Sequence, residues 1–118
     1  MADKDVLGKY GEDIAVGHLE GAGMVVLARN WRCVHGELDI VARDGSTLVF
    51  CEVKTRSSSR FGSPAEAVGP VKARRIRRLA LVWLAEAGRG WPELRFDVVS
   101  VVRPRDSQPA VEHLRGAF

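Results

Sequence analysis

The spacing of apolar and polar residues predicts a helix followed by strands. Residues 7–22 repeat apolar positions every three or four residues, as one face of a helix does, and Gly23 suits the C-terminal cap. Residues 24–34 are largely apolar and β-prone, so they predict a strand, or two strand segments joined by a bend. These patterns open the chain with one helix and one strand.

The strongest local signal is a hairpin in GELDIVARDGSTLVFCEVKT, residues 36–55, where two β-prone runs flank the turn dipeptide Asp44-Gly45. An apolar stripe from Ile76 to Ala87 predicts a second helix. The nearly continuous apolar run at 93–102 predicts a strand buried on both faces. The order helix, three strands, helix and strand is that of an α/β protein with a mixed sheet.

The connecting segments are polar. RSSSRFGSP, residues 56–64, has the composition of a loop, and residues 63–66, SPAE, have the pattern of a helix capping box. Residues 103–118 predict a polar connection and a short tail. A chain of 118 residues suits a single domain over 1–118.

Composition narrows the class of protein. No apolar run is long enough for a membrane span, and the polar N-terminus differs from a signal peptide. Cys33 and Cys51 have no CxxC partner, which favours a reducing compartment, so we expect a cytoplasmic protein. Residues 1–50 carry five basic and eight acidic side chains, and residues 51–118 carry thirteen and seven. A basic half suits a partner with a phosphate backbone.

Within the predicted hairpin, carboxylates and a lysine collect on one face. Strand side chains alternate between faces, so Glu52 and Lys54 point the same way. A two-residue turn would pair residues whose numbers sum to 89, and a four-residue loop would give a sum of 91. Either register brings Glu37 and Asp39 to the face of Glu52, and the second sets Asp39 directly opposite Glu52.

Clustered carboxylates need compensation, because two charges about 4 Å apart repel by roughly 1 kcal/mol in water and roughly 4 kcal/mol at an effective dielectric near 20. One carboxyl could stay protonated, Lys54 could pair with one, or a divalent cation could lie between them. A metal there would polarise a phosphoryl oxygen and lower the pKa of a bound water, and a neighbouring lysine would orient or deprotonate that water. This pattern predicts metal-assisted phosphodiester hydrolysis; the alternative is a strand face in contact with solvent.

The spacing of Asp39 and Glu52-Val53-Lys54 resembles the D…(D/E)xK motif of restriction-endonuclease-like nucleases, although Leu38 stands where that motif has proline. Further blocks, in order GKYGEDIA, ARNWRC, GELDIVARDG, LVFCEVKTR, AVGPVKARRI, RFDVVSV and HLRGAF, resemble the YraN-type family of uncharacterised bacterial proteins over almost the whole chain. That family is classed as restriction-endonuclease-like and close to archaeal Holliday-junction resolvases. The resemblance therefore implies a restriction-endonuclease-like mixed sheet.

The resemblance also implies roles by position. The carboxylates of Asp39 and Glu52 and the carbonyl of Val53 would bind Mg²⁺ or Mn²⁺. Glu12 matches the glutamate on the first helix that completes the metal site in resolvase-like relatives. Lys54 would be the catalytic lysine, acting with Asp39 and Glu52.

Basic side chains outside this motif are candidates for phosphate contacts. Related nucleases sometimes carry an active-site lysine on the second helix, where this chain has Lys72; the alternative is a lysine that extends into solvent from a helix end. The loop at 56–63 is expected to clamp a phosphate, and the helix arginines either do so or form a solvated face. The predicted nucleic-acid contacts are Arg32, Arg56, Arg60, Lys72, Arg74 and Arg78.

We therefore expect a metal-dependent, endonuclease-like protein that binds and hydrolyses DNA, with branched and single-stranded forms as the first substrates to test. The analogy with resolvases, which act on two-fold symmetric junctions, adds a homodimer as an expectation. Two alternatives stay open: a nucleic-acid-binding module without turnover on the same fold, and a protein-interaction scaffold.

Overall fold

A computed structural model describes residues 3–57, with side chains from residue 6, and residues 68–103 and 108–118. The elements are α1 (Asp3–Gly21), β1 (Val25–Cys33), β2 (Gly36–Asp44), β3 (Thr47–Arg56), α2 (Pro70–Ala87), β4 (Glu93–Val102) and β5 (Ala110–Leu114). The predicted α/β class and the order of the first six elements are confirmed. The predicted capping box at 63–66 and the predicted contact Arg60 lie outside the described residues.

The described strands form one mixed sheet in chain order, β1-β2-β3-β4-β5. The pairs β1–β2, β2–β3 and β4–β5 are antiparallel, as short connections between neighbouring strands allow. β3 and β4 are parallel because the connection that contains α2 returns the chain to the same end of the sheet. A three-stranded meander is thus joined to a βαβ unit.

The β2–β3 hairpin has the second of the two registers considered from sequence. Asp44 pairs with Thr47 and Ile40 with Cys51, so that paired numbers sum to 91. Only Gly45 and Ser46 lie between the paired ends, and Gly45 has a φ of 62°, where glycine is favoured. The predicted position of the turn is therefore wrong by one residue, because the turn is formed by Gly45-Ser46 and not by Asp44-Gly45. One further step along this register sets residue 39 opposite residue 52.

One helix covers each face of the sheet. Ala15 and Leu19 of α1 belong to one buried cluster, and Ile76, Leu79 and Ala80 of α2 belong to the other. Because both faces are covered, β3 and β4 bury consecutive side chains, which explains their nearly continuous apolar sequences. Neither helix of the described chain combines the length and apolarity that a membrane span requires.

The C-terminal residues include a strand that the sequence analysis missed. A polar connection and tail over 103–118 is wrong for residues 110–114, because β5 pairs with β4 at the edge of the sheet. After β5, the Gly116 N–H donates to Asp97 Oδ1 at 3.0 Å, and the Ala117 N–H donates to the Phe96 carbonyl at 2.7 Å. The last residues are therefore held against β4.

Asp97 is a fully buried carboxylate in the middle of β4. Arg95 donates to both of its oxygens at 2.9 Å, and His113 Nε2 lies 2.7 Å from Oδ2. Burial alone would raise the pKa of Asp97, but the hydrogen bonds from Arg95, Gly116 and His113 together lower it below 3.8. Asp97 therefore stays ionised and connects β4, β5 and the residues that follow.

Asp97→Asn should lower the free energy of unfolding by about 1–3 kcal/mol, because it removes the buried charge that accepts these hydrogen bonds, while Arg95 keeps Asp44 as a second partner at 3.0 Å. Urea unfolding at neutral pH measures this loss, with Glu20→Gln on the exposed side of α1 as the control that should change little. Since the folded-state pKa is below the unfolded value, the contribution is present above about pH 4 and is lost as the pH falls further. A loss under about 1 kcal/mol would contradict the assigned role.

Candidate functional site

A cleft opens between α1 and the end of the β2–β3 hairpin that lies away from its turn. It encloses about 220 Å³ and is lined by Leu7, Gly8, Glu12, Asp39, Val53, Lys54 and Thr55. The helix contributes three of these residues and the two strands contribute the other four. Four of the residues predicted for the site, Glu12, Asp39, Val53 and Lys54, thus come together here.

The depth of this cleft depends on a glycine in α1. A methyl group on Gly11 would lie 2.7 Å from Cβ of Thr55 and still closer to its Oγ1. Only a residue without a side chain allows α1 to approach β3 this closely. The contact also brings the next residue, Glu12, to the cleft wall.

Asp39 is half-buried and its Oδ2 accepts a hydrogen bond from the Val53 N–H at 2.9 Å. Burial, the nearby charge of Glu52 and a side-chain hydrogen bond with Glu52 raise the pKa of Asp39 to about 7, and Glu12 adds to this effect. The Val53 N–H acts in the opposite direction. Asp39 is therefore expected to change its protonation state near neutral pH.

The negative charge of Glu52 is compensated by a lysine of α2, the helix that covers the face of the sheet opposite α1. Lys72 Nζ lies 2.7 Å from Glu52 Oε1, and the two side chains are 41% and 11% exposed. Lys54, the lysine considered for this pairing from sequence, is exposed and lines the cleft instead. Without a metal, the repulsion between the two carboxylates is therefore reduced in two ways: protonation of Asp39 and the ion pair of Glu52 with Lys72.

Glu37 is a residue that the predicted metal-ligand set does not include. Its carboxylate and those of Glu12 and Asp39 each offer an oxygen within 4.8 Å of the others. Glu37 also pairs with a basic side chain of the neighbouring strand, since Arg32 Nε lies 2.6 Å from Glu37 Oε2. The spacing of two between Glu37 and Asp39 on one strand was the signal that could have placed both in the site.

These oxygens suit a hard divalent cation in chemistry and in spacing. Mg²⁺ binds oxygen ligands at about 2.1 Å, so ligands of one octahedral ion lie about 3.0 Å apart when adjacent and about 4.2 Å apart when opposite. Oxygens of Glu12, Glu37 and Asp39 lie within 4.8 Å of one another, a range that includes both of these separations. Their carboxylates therefore fit Mg²⁺ or Mn²⁺ better than a soft metal.

Two wider hollows continue the cleft on either side. One encloses about 650 Å³, shares Glu12 with the cleft and is also lined by Arg29 and Arg32. The other encloses about 430 Å³, shares Lys54 with the cleft and extends to Arg56. Basic side chains therefore accompany the acidic centre in both directions.

The arginines of α2 lie elsewhere. Arg74 and Arg78, with Val71 and Arg75, line a separate hollow of about 280 Å³. Among the described residues, its lining has no member in common with the cleft. The structure thus brings Lys72 to the acidic centre and leaves Arg74 and Arg78 on an exposed helix face.

Gly11→Ala should destabilise the protein by about 1–3 kcal/mol, the usual cost of overpacking a close contact. Gly17→Ala is the matched control in the same helix, because an added methyl would meet no atom within 4 Å. That control should gain about 0.5–1 kcal/mol from helix propensity. Urea unfolding of both variants provides the comparison, and equal effects would contradict the close approach.

Asp39→Asn should change how stability depends on pH. A folded-state pKa of about 7, raised from 3.8, means that the folded protein binds more protons than the unfolded chain between these values, so wild-type stability falls as the pH rises through this window. Asparagine mimics the neutral acid and removes this dependence. Melting temperatures in the presence of a chelator should favour the variant above pH 7 and converge near pH 4. Parallel curves would rule out the raised pKa.

The fold and the cleft together define a small α/β protein in which carboxylates from a helix and two strands meet beside basic side chains. The chain belongs to the Uncharacterised protein family UPF0102, whose model matches residues 11–101. The matched range contains Glu12, Asp39, residues 52–54 and Lys72, and it ends before β5.

Individual relatives are similar over nearly their whole length. A UPF0102 protein of Frankia alni is 60% identical, with 100% of this chain and 98% of the relative covered. UPF0102 proteins of Streptomyces griseus and Nocardia farcinica are 56% and 52% identical; 98% and 100% of this chain are covered, and 98% and 93% of the relatives. The resemblance to the YraN-type family of uncharacterised bacterial proteins is confirmed.

Proposed function

We propose that this protein is a Mg²⁺- or Mn²⁺-dependent, endonuclease-like enzyme of restriction-endonuclease-like fold that binds DNA and hydrolyses its phosphodiester bonds in the cytoplasm. The observation that supports it most directly is the convergence of Glu12, Asp39, Val53 and Lys54 in one cleft. A lysine beside hard oxygen ligands is a combination that suits metal-assisted phosphodiester hydrolysis.

The residues would divide the work as follows. Asp39 and the Val53 carbonyl would hold the ion with Glu12, which lines the same cleft. Glu52 lies outside the cleft lining but its carboxylate contacts that of Asp39, so it would join them, and Glu37 lies close enough to Asp39 to contribute. The bound ion would supply Lewis-acid chemistry by polarising a phosphoryl oxygen and acidifying a water. Lys54 would stabilise the negative charge that develops on the phosphate.

The choice of a polyanionic substrate rests on the surroundings of the cleft. Arg32 lines the hollow on one side and Arg56 the hollow on the other, so that a phosphate backbone would meet cations in both directions. The uneven charge of the chain, with its excess of basic residues after residue 50, supports the same choice.

Cleavage of duplex, single-stranded, flap and four-way DNA with several divalent ions tests the proposal. We expect cleavage with Mg²⁺ or Mn²⁺, none with a chelator, and a loss on the order of 100-fold or more in Asp39→Asn and in Lys54→Ala. Glu20→Gln and Arg43→Ala are matched controls that remove an exposed carboxylate and an exposed cation away from the cleft lining.

Other outcomes would support the alternatives. Cleavage that survives both substitutions would contradict the assigned site. Salt-sensitive DNA binding without product, weakened by substitution of Arg74 and Arg78, would favour a binding module without turnover. The homodimer stays a prediction by analogy, and light scattering of the purified protein would test it.

A further inference from the structure

The acidic residues around Asp39 are each close to a basic side chain from another part of the fold. Lys72 lies 2.7 Å from Glu52, and Arg32 lies 2.6 Å from Glu37. Arg29 Nη2 approaches Glu12 at 3.9 Å. Of these three pairs, the one with Lys72 joins the least exposed carboxylate, since the Glu52 side chain is only 11% exposed.

The carboxylate of Glu52 contacts that of Asp39, a member of the group of carboxylates spaced for a metal. A divalent cation bound at Asp39 and the ammonium group of Lys72 would therefore compete for Glu52. Like charges this close repel each other, and the metal carries two positive charges against the one on the ammonium group. The lysine side chain is long and 41% exposed, so it can turn outward without disturbing the core. Entry of the metal should therefore release the ammonium group.

The released ammonium group would lie beside a favourable place for an anion. Lys72 belongs to the first turn of α2, an 18-residue helix. That turn contains no acidic residue, and no side chain of the described residues caps it by a hydrogen bond. The N–H groups of Val71 and Lys72, which have no acceptor within the helix, and the helix dipole therefore favour negative charge next to Lys72.

We propose that Lys72 competes with the metal for the carboxylate of Glu52. When the metal binds, the ammonium group of Lys72 leaves Glu52 and pairs with a phosphate of the nucleic acid. Metal and nucleic acid then bind cooperatively, and by linkage each raises the affinity for the other by the same factor. This proposal rests on the proposed function of the cleft and adds to it the order in which the site becomes ready for its substrate.

The test measures binding and requires no turnover. Isothermal titration gives the Kd for Mn²⁺ alone. Fluorescence anisotropy gives the Kd for a labelled single-stranded oligonucleotide with Mn²⁺ and with a chelator, in a Lys54→Ala background that keeps the strand intact. The ratio of the two oligonucleotide affinities is the coupling factor, expected to be about 5-fold or more.

Substitution of Lys72 should raise the affinity for Mn²⁺ and lower the coupling factor. Lys72→Ala, in the same background, should bind Mn²⁺ more tightly without DNA, by about 5-fold, and should lose most of the coupling factor. Lys72→Gln, which keeps a hydrogen-bond donor of similar length near Glu52, should behave in the same way if Lys72→Ala proves unstable. Arg43→Ala removes an equal charge from an exposed position of β2 and should leave the coupling factor unchanged.

The outcomes separate the two proposals. If the Lys54→Ala background protein binds Mn²⁺ and the oligonucleotide but both Lys72 variants keep its Mn²⁺ affinity and coupling factor, the role of Lys72 is wrong and the metal site stands. Weaker Mn²⁺ binding in those variants would also reject competition. If the wild-type protein binds no metal, both proposals fail.

Discussion

The contact between Asp39 and Glu52 is the constraint around which the rest of the site is organised. The hairpin register sets these carboxylates against each other, and burial makes their charges expensive. In the metal-free protein, the raised pKa of Asp39 favours its neutral form, and the ammonium group of Lys72 neutralises Glu52. Two carboxylates held this close together attract cations, which is the property that a metal-binding centre needs.

The scaffold holds this unfavourable contact in place from both faces of the sheet. α1 reaches it through the close packing of Gly11 on Thr55, and α2 reaches it through Lys72. Two apolar clusters, one under each helix, supply the stabilisation, and the buried charge of Asp97 connects the far strands separately. The groups that stabilise the fold are thus largely distinct from those in the cleft.

Local patterns in the sequence were sufficient for the first six of the seven described elements and for part of the cleft. Period-two alternation placed Asp39 with the hairpin carboxylates, whereas the family resemblance, and no local pattern, assigned Glu12 to the site. The register was not decidable, because both strands of the hairpin are apolar at their other positions too. The ion pair of Lys72 with Glu52 depends on how α2 packs over the sheet, and β5 depends on a partner strand, β4, that its own five residues do not reveal.

The short fifth strand also covers the edge of β4, which would otherwise be open to pairing with another chain. β4 is almost continuously apolar, and Val98, Val99 and Val101 are fully buried. β5 occupies its outer hydrogen-bonding edge and presents the exposed Glu112 to solvent. A chain ending at residue 101, where the family match ends, would offer an open edge of valines to any neighbouring copy. The segment that defines the family by sequence is therefore prone to self-association when it is separated from the residues that follow it.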